Sequence, residues 1–241
     1  MKFDKGLSDI QFVFFYSAMD FSDKISIAQS FGKIQSINFK ENPMILPIPN
    51  DSPPEIPRVI LKDASKSYSV NVALDRTDIQ FHSEEDKATL TPLSKIENAE
   101  NILFPLLSDT YEILTACFGA KMTRIALIAK EIVKLQESSK VFLNRVYFKK
   151  DTNPFEMNLA FLYKEKINEF QVNRWLRLNT LRKKSNQNDD KAISIISDIN
   201  TVVESQYKFN VSNVKQYAVS SIKTIGTITK EILQSPNGKT K

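Results

Sequence analysis

Three groups of residues in this 241-residue chain have types and spacings that could do chemistry. The first surrounds His82, the one histidine, which is followed by Glu84, Glu85 and Asp86. Imidazole beside carboxylates is a donor set for a divalent cation. A zinc or calcium site, however, needs several ligands fixed by rigid elements, and this run is polar and turn-like. It is read as a solvated acidic turn, and no metal is assigned. The second group is Glu85-x-Lys87, with Asp63 or Asp75 as an upstream carboxylate. Metal-dependent nucleases use such a set, in which two acids hold the metal and a lysine activates water. Here the triplet lies among exposed polar residues rather than in an apolar strand, so no catalytic residue is assigned. One histidine excludes any mechanism that needs two. With five glycines and no G-x-G-x-x-G, Walker lysine or G-x-S-x-G, the familiar phosphate loops and nucleophile elbows are absent, and no cofactor is assigned.

The third group is the basic run QVNRWLRLNTLRKK over residues 171–184. Read as a strand, it puts Arg174 and Arg182 on a face with Val172, Leu176 and Leu178, while Trp175, Arg177 and Lys183 point the other way. Trp175 beside Arg177 could stack a base while Arg174, Arg182, Lys183 and Lys184 hold phosphates. The competing reading makes Trp175 a core or interface residue and the basic cluster a solvated strand end. These six residues are the candidate nucleic-acid or anion contacts. They sit in a basic half. Residues 1–120 carry 11 Lys/Arg against 17 Asp/Glu, and residues 121–241 carry 22 against 11. Such asymmetry points to an anionic partner for the second half or to the halves answering each other.

The elements that must position these groups follow from periodicity. Ile10 to Ser17 is aromatic and β-branched, a strand signal. Ser22 or Asp23 offers an N-cap to a short helix through Ile25, Ala28 and Phe31, with Gly32 where a left-handed C-cap is wanted. Six of ten prolines fall between Pro43 and Pro57, so that stretch should cross the surface as extended chain. RVILKD, YSVNVAL and TDIQFHS then read as three short strands, the second alternating Val70, Val72 and Leu74 with Ser69, Asn71 and Ala73.

Ser94 and Glu97 have capping-box spacing ahead of an apolar helical stripe from Ile96 to Cys117, in which Pro105 must kink or divide the helix and Gly119 closes it. Met122 to Leu135 begins as a strand and ends ambiguously, since IAKEIVKL also suits a helix. Val141 to Phe148 reads as a short helix, and Glu156–Lys166, Phe170–Lys183 and Ala192–Glu204 as strands. KKSNQNDDK between the last two should be a loop. Val211 to Ile232 traces a long amphipathic helix, under which the strand holding Leu176 and Leu178 is expected to bury its apolar side.

This order predicts an α+β fold with a mostly antiparallel sheet and packed helices, arranged as two ferredoxin-like halves on one continuous sheet. One domain is expected over 1–241, with an acidic sub-unit 1–135, a basic sub-unit 136–235 and a frayed tail 236–241. The single Cys117 cannot form an internal disulfide, and MKFDKGLSD followed by QFVFFYSAM is too short and too mixed in charge for a secretory signal. A cytoplasmic location follows as an expectation. No window reaches the ~20 apolar residues needed to span a bilayer, so no membrane partner is expected.

The order FVFFYSAM, PPEIPRVIL, TRIALIAKEI, SIISDINT and a closing helix resembles a family of uncharacterised bacterial α+β proteins that share a proline crossover, an R-I-G-L-like strand after a helix and a long C-terminal helix. Arg124, Ile125 and Leu127 match that strand, while Ala126 stands where a glycine is expected. The resemblance implies a fold and carries no catalytic residue. The chain is also similar to CRISPR repeat-processing ribonucleases in length and basic character, but SSIKTIGTITKEIL has one glycine where those proteins carry a glycine-rich motif. The expected function is a non-catalytic interaction protein with a protein partner or a second copy of itself. The alternative is an RNA- or DNA-binding protein that uses the basic half.

Overall fold

Runs in which β-branched and aromatic residues alternate with polar ones pair, in the computed structural model, into one nine-stranded antiparallel sheet. The structure describes residues 4–34, 36–37, 39, 42–49, 51–65, 67–84, 95–148, 156–181, 191–203 and 206–234. The first half supplies β1 (Asp4–Tyr16), α1 (Lys24–Gly32), β2 (Met44–Ile45), β3 (Val59–Lys62), β4 (Tyr68–Val72), β5 (Arg76–His82) and α2 (Ala99–Glu112). The second supplies β6 (Met122–Lys134), α3 (Ser139–Tyr147), β7 (Asn158–Ile167), β8 (Phe170–Leu181), β9 (Ala192–Thr201) and α4 (Val211–Gln234). The strand order is β2-β3-β4-β5-β1-β6-β9-β8-β7. The fold is therefore α+β with one continuous antiparallel sheet.

Each half opens with its innermost strand, makes a helix, builds outer strands back toward that first strand and ends in a helix. Strand β1 pairs with β6 at the seam. This connectivity differs from the β-α-β-β-α-β of a ferredoxin-like unit, because the second helix of each half follows all of its strands. A bulge at Ser8, between Leu7 and Asp9, shifts the register of β1 against β6.

Among the described residues the four α-helices all pack on one side of the sheet. Leu7, Ile10, Phe12 and Phe14 of β1 and Ile125, Leu127 and Ala129 of β6 join residues of α1, α2 and α4 in one apolar cluster. A second cluster places Leu176 and Leu178 beneath Phe142, Leu143 and Val146 of α3 and Ile232 and Leu233 of α4. The apolar side of β8 is thus covered by α3 as well as by the C-terminal helix.

Several local expectations change. Asp23 caps α1 by accepting from the Ser26 N–H, but Gly32 lies inside the helix and the C-cap Lys33 is right-handed. Pro105 sits inside α2 without dividing it, the helix then widens into a π turn over Ile113–Cys117, and Gly119 at φ 60° ends it. The ambiguous run 122–134 is strand throughout, because it is held between β1 and β9 on both edges. Ser94 and the loop 183–190 lie outside the described residues, as does the tail 235–241.

The proline crossover is folded around one side chain. Arg58 is fully buried, and its guanidinium donates from Nη1 to the carbonyls of Ile56 (2.5 Å), Pro53 (3.3 Å) and Pro54 (3.4 Å) and from Nη2 to that of Ser52 (3.2 Å). The carbonyls of Pro53 and Pro54 also accept from the Ile56 and Leu74 N–H groups, and the planar five-donor cation adds a second donor to each while serving Ser52 and Ile56.

Candidate functional site

Strand alternation decides what the other side of the sheet presents, since successive side chains leave on opposite faces. Opposite the helices, the paired registers bring Ile60, Asn71, Gln80, Gln11, Ile128, Ile196 and Trp175 onto one uncovered face. A concavity of about 560 Å³ lies on it, lined among others by Gln11, Ile60, Asn71, Gln80, Ile128 and Ile196. Leu162 of β7, the cross-strand neighbour of Trp175, is 46 % exposed.

One rim of the concavity carries the molecule's histidine. His82 Nδ1 lies 2.6 Å from Asp9 Oδ1, Ser8 Oγ donates to Asp9 Oδ2 at 2.7 Å, and Lys130 Nζ is 3.7 Å from the same oxygen. Burial pushes the Asp9 carboxyl up, but the hydrogen bonds from His82 and Ser8 and the Lys130 charge outweigh it and hold it below the usual carboxylate range. The partner of His82 is thus Asp9, 73 positions away. Of the acidic neighbours expected from the sequence, Glu84 is exposed and Glu85 and Asp86 lie outside the described residues, as does Lys87; no group of three potential metal ligands occurs among those described.

Two further carboxylates face the same way. Asp78 receives a hydrogen bond from Gln11 Nε2 at 3.0 Å and lies 3.2 Å from Arg76 Nε, yet burial raises its carboxyl above the ordinary range. Asp198 lies between strands β8 and β6, accepts from Asn200 Nδ2 at 3.2 Å and is 4.0 Å from Arg177 Nη1.

The basic run separates by face. Trp175 and Arg177 lie on the uncovered side, with the guanidinium 5.5 Å from the indole centroid. Arg174 lies on the helix side, buried, donating to Glu165 Oε2 at 3.0 Å and packed 4.1 Å over the Tyr163 ring. Arg174 therefore shares no surface with Trp175. Arg182, Lys183 and Lys184 lie outside the described residues.

Cations outside that run complete this half. The strands β6 to β9 carry seven Lys and Arg, and six of them (Arg124, Lys130, Lys134, Lys164, Lys166 and Arg177) fall on the uncovered face by register. Of their three carboxylates, Glu131 and Glu165 fall on the helix side and only Asp198 on the uncovered one. In RIALIAKEIVK the cations already alternate with the buried Ile125, Leu127 and Val133, which is the signal that could have found them. Arg124 lies 3.8 Å over the Phe15 ring across the seam.

No family model, curated protein or solved structure matches the chain. The assignment of the site rests on its geometry. No helix among the described residues is long and apolar enough to cross a membrane.

Proposed function

We propose that this chain is a non-catalytic binding protein whose partner docks on the uncovered face of the nine-stranded sheet. One observation carries the reading. Among the described residues every helix packs on one side, and none covers Ile60, Ile128, Ile196, Trp175 and Leu162 on the other face. Sheets of this size ordinarily bury both faces or present one that is plainly polar, and an apolar face rimmed by charge is the signature of an interaction surface. The groups on it are arranged for contact rather than turnover. Asp9, Asp78 and Asp198 are each tied to a neighbouring cation, Lys130, Arg76 and Arg177 in turn.

The test is site-specific photo-crosslinking in the cells that make the protein. A photoreactive residue in place of Leu162 or of Ile128 should give a discrete adduct, and the same residue in place of Val141, exposed on α3 on the helix side, should not give it. An adduct with a second copy of the chain would identify self-association through this face. Equal labelling from all three positions, or none from the sheet face, would refute the reading.

A further inference from the structure

We infer that the occupant of this face is single-stranded nucleic acid, held by the four strands β6, β9, β8 and β7; the inference rests on the docking face proposed above and names its partner. The argument starts from charge. The helix side of these strands is core, so cations belong on the other face; what is unusual there is the balance, six cations against one carboxylate, although the strands carry three carboxylates in all. That carboxylate, Asp198, is already engaged by Asn200 and Arg177. Lys130 answers Asp9 across the seam, whereas Lys134, Lys164 and Lys166 have no carboxylate partner among the described residues. A surface that gathers cations and sends Glu131 and Glu165 to the covered side complements a polyanion.

Geometry then selects the kind of polyanion. The cations form two lines, Arg124, Lys130 and Lys134 along β6 and Lys164 and Lys166 along the edge strand β7. The two strands are three spacings apart, roughly 14 Å at ~4.8 Å each. Between the lines lie Trp175, with Arg177 against its ring, and the amides of Asn173, Asn179 and Asn200. Phosphates on the cation lines would leave bases over the indole and within reach of side-chain amides, which read base edges that a duplex keeps paired. An acidic protein segment would use the charge but would have no use for a stacking platform.

Trp175 is the only tryptophan, so its emission reports this surface alone. The intact protein is titrated with a uridine or thymidine homopolymer of about 15 nucleotides at about 50 mM salt. The expected result is saturable binding with a change in Trp175 emission, weakened steeply by salt, and weaker binding of the corresponding duplex. Lys164→Gln with Lys166→Gln, on an exposed edge, should lower affinity several-fold and reduce the log–log salt slope by about 1.4, the share of two phosphate contacts on a single strand. Trp175→Ala, followed by anisotropy of a labelled oligonucleotide, should weaken binding about tenfold or more. Lys223→Gln, on the helix side, should change nothing.

Absence of saturable binding, binding with no change in Trp175 emission, or indifference to the lysine pair would overturn the inference. So would equal competition by polyglutamate. Retained crosslinks from Leu162 to a protein alongside any of these would leave the docking face standing and remove only the nucleic acid.

Discussion

Replacing Arg58 by methionine tests whether the proline crossover is held by that one side chain. The guanidinium serves the carbonyls of Ser52, Pro53, Pro54 and Ile56, and is fully buried beneath them. A hydrogen bond to a charged donor contributes about 1.5–3 kcal/mol, but these contacts share two nitrogens, and carbonyls on an exposed crossover regain water when released. Counting two full bonds and crediting the methionine with the apolar packing of the stem leaves a loss of about 3–4 kcal/mol. For a chain of this length, that corresponds to a fall in Tm of roughly 6–16 °C. Urea and thermal denaturation measure it. Arg58→Lys keeps the charge but offers a point donor in place of a fork, and should recover less than half. A loss under about 1 kcal/mol in Arg58→Met would show that the crossover is held by its own prolines and by the Arg58 backbone pairing with Val72.

Other expectations are briefer. Ile225, buried in the main cluster, should not tolerate a carboxylate: Ile225→Asp costs about 4 kcal/mol or more, read as a lost or much lowered unfolding midpoint, and an unchanged midpoint would exclude the packing described. His82→Ala should shift stability by no more than about 0.5 kcal/mol, since both partners are well exposed, while the Asp9 carboxyl, followed by NMR, moves up. The depressed Asp9 carboxyl contributes stability that is present above its unfolded pKa and lost as pH falls through its folded one. That acid-side loss should shrink in His82→Ala. Glu131 behaves in the opposite sense. Burial raises its carboxyl even though Thr229 donates to it at 2.5 Å and Lys5 stands at 3.6 Å, so the fold favours the protonated form and loses stability as pH rises through the folded pKa. Glu131→Gln should flatten that fall in a series of denaturation curves; an unaltered slope would put the titration elsewhere.

Much of the architecture was legible because strand alternation is local. The faces of 170–181 could be read from residue spacing alone, and the structure bears out that Arg174 and Trp175 part company there. What alternation cannot say is which face a layer of helices will cover. The same pattern would have put Arg174 in solvent and Trp175 in the core had α3 and α4 packed on the other side. For that reason Arg124, Lys130, Lys164 and Lys166 were invisible as a group: each is an ordinary surface cation until the register lines them up. Pairings across long separations were equally hidden. Nothing in the neighbourhood of His82 names Asp9, and nothing in PPEIPR says that the arginine turns back into its own prolines. The run 122–134 stayed ambiguous because its apolar spacing satisfies both periods, and only sequestration between two neighbouring strands decides it.

The seam between β1 and β6 also has a consequence for the chain while it is being made. Tyr16 and Met122 close the first pairs of that seam, yet 105 residues separate them. At ~5–20 residues per second, a ribosome needs roughly 5–20 s to supply β6 after β1 has emerged. Once β5 has followed, it can pair with β1 on one side, while until β6 arrives the other edge offers open N–H and C=O groups to any neighbouring nascent chain. Ser8 lies on this waiting edge, and its bulge breaks the even spacing that a foreign strand would need to zip along it. The irregularity that shifts the mature register thus also guards the half-made molecule, and straightening it by deleting Ser8 should show first as aggregation during synthesis.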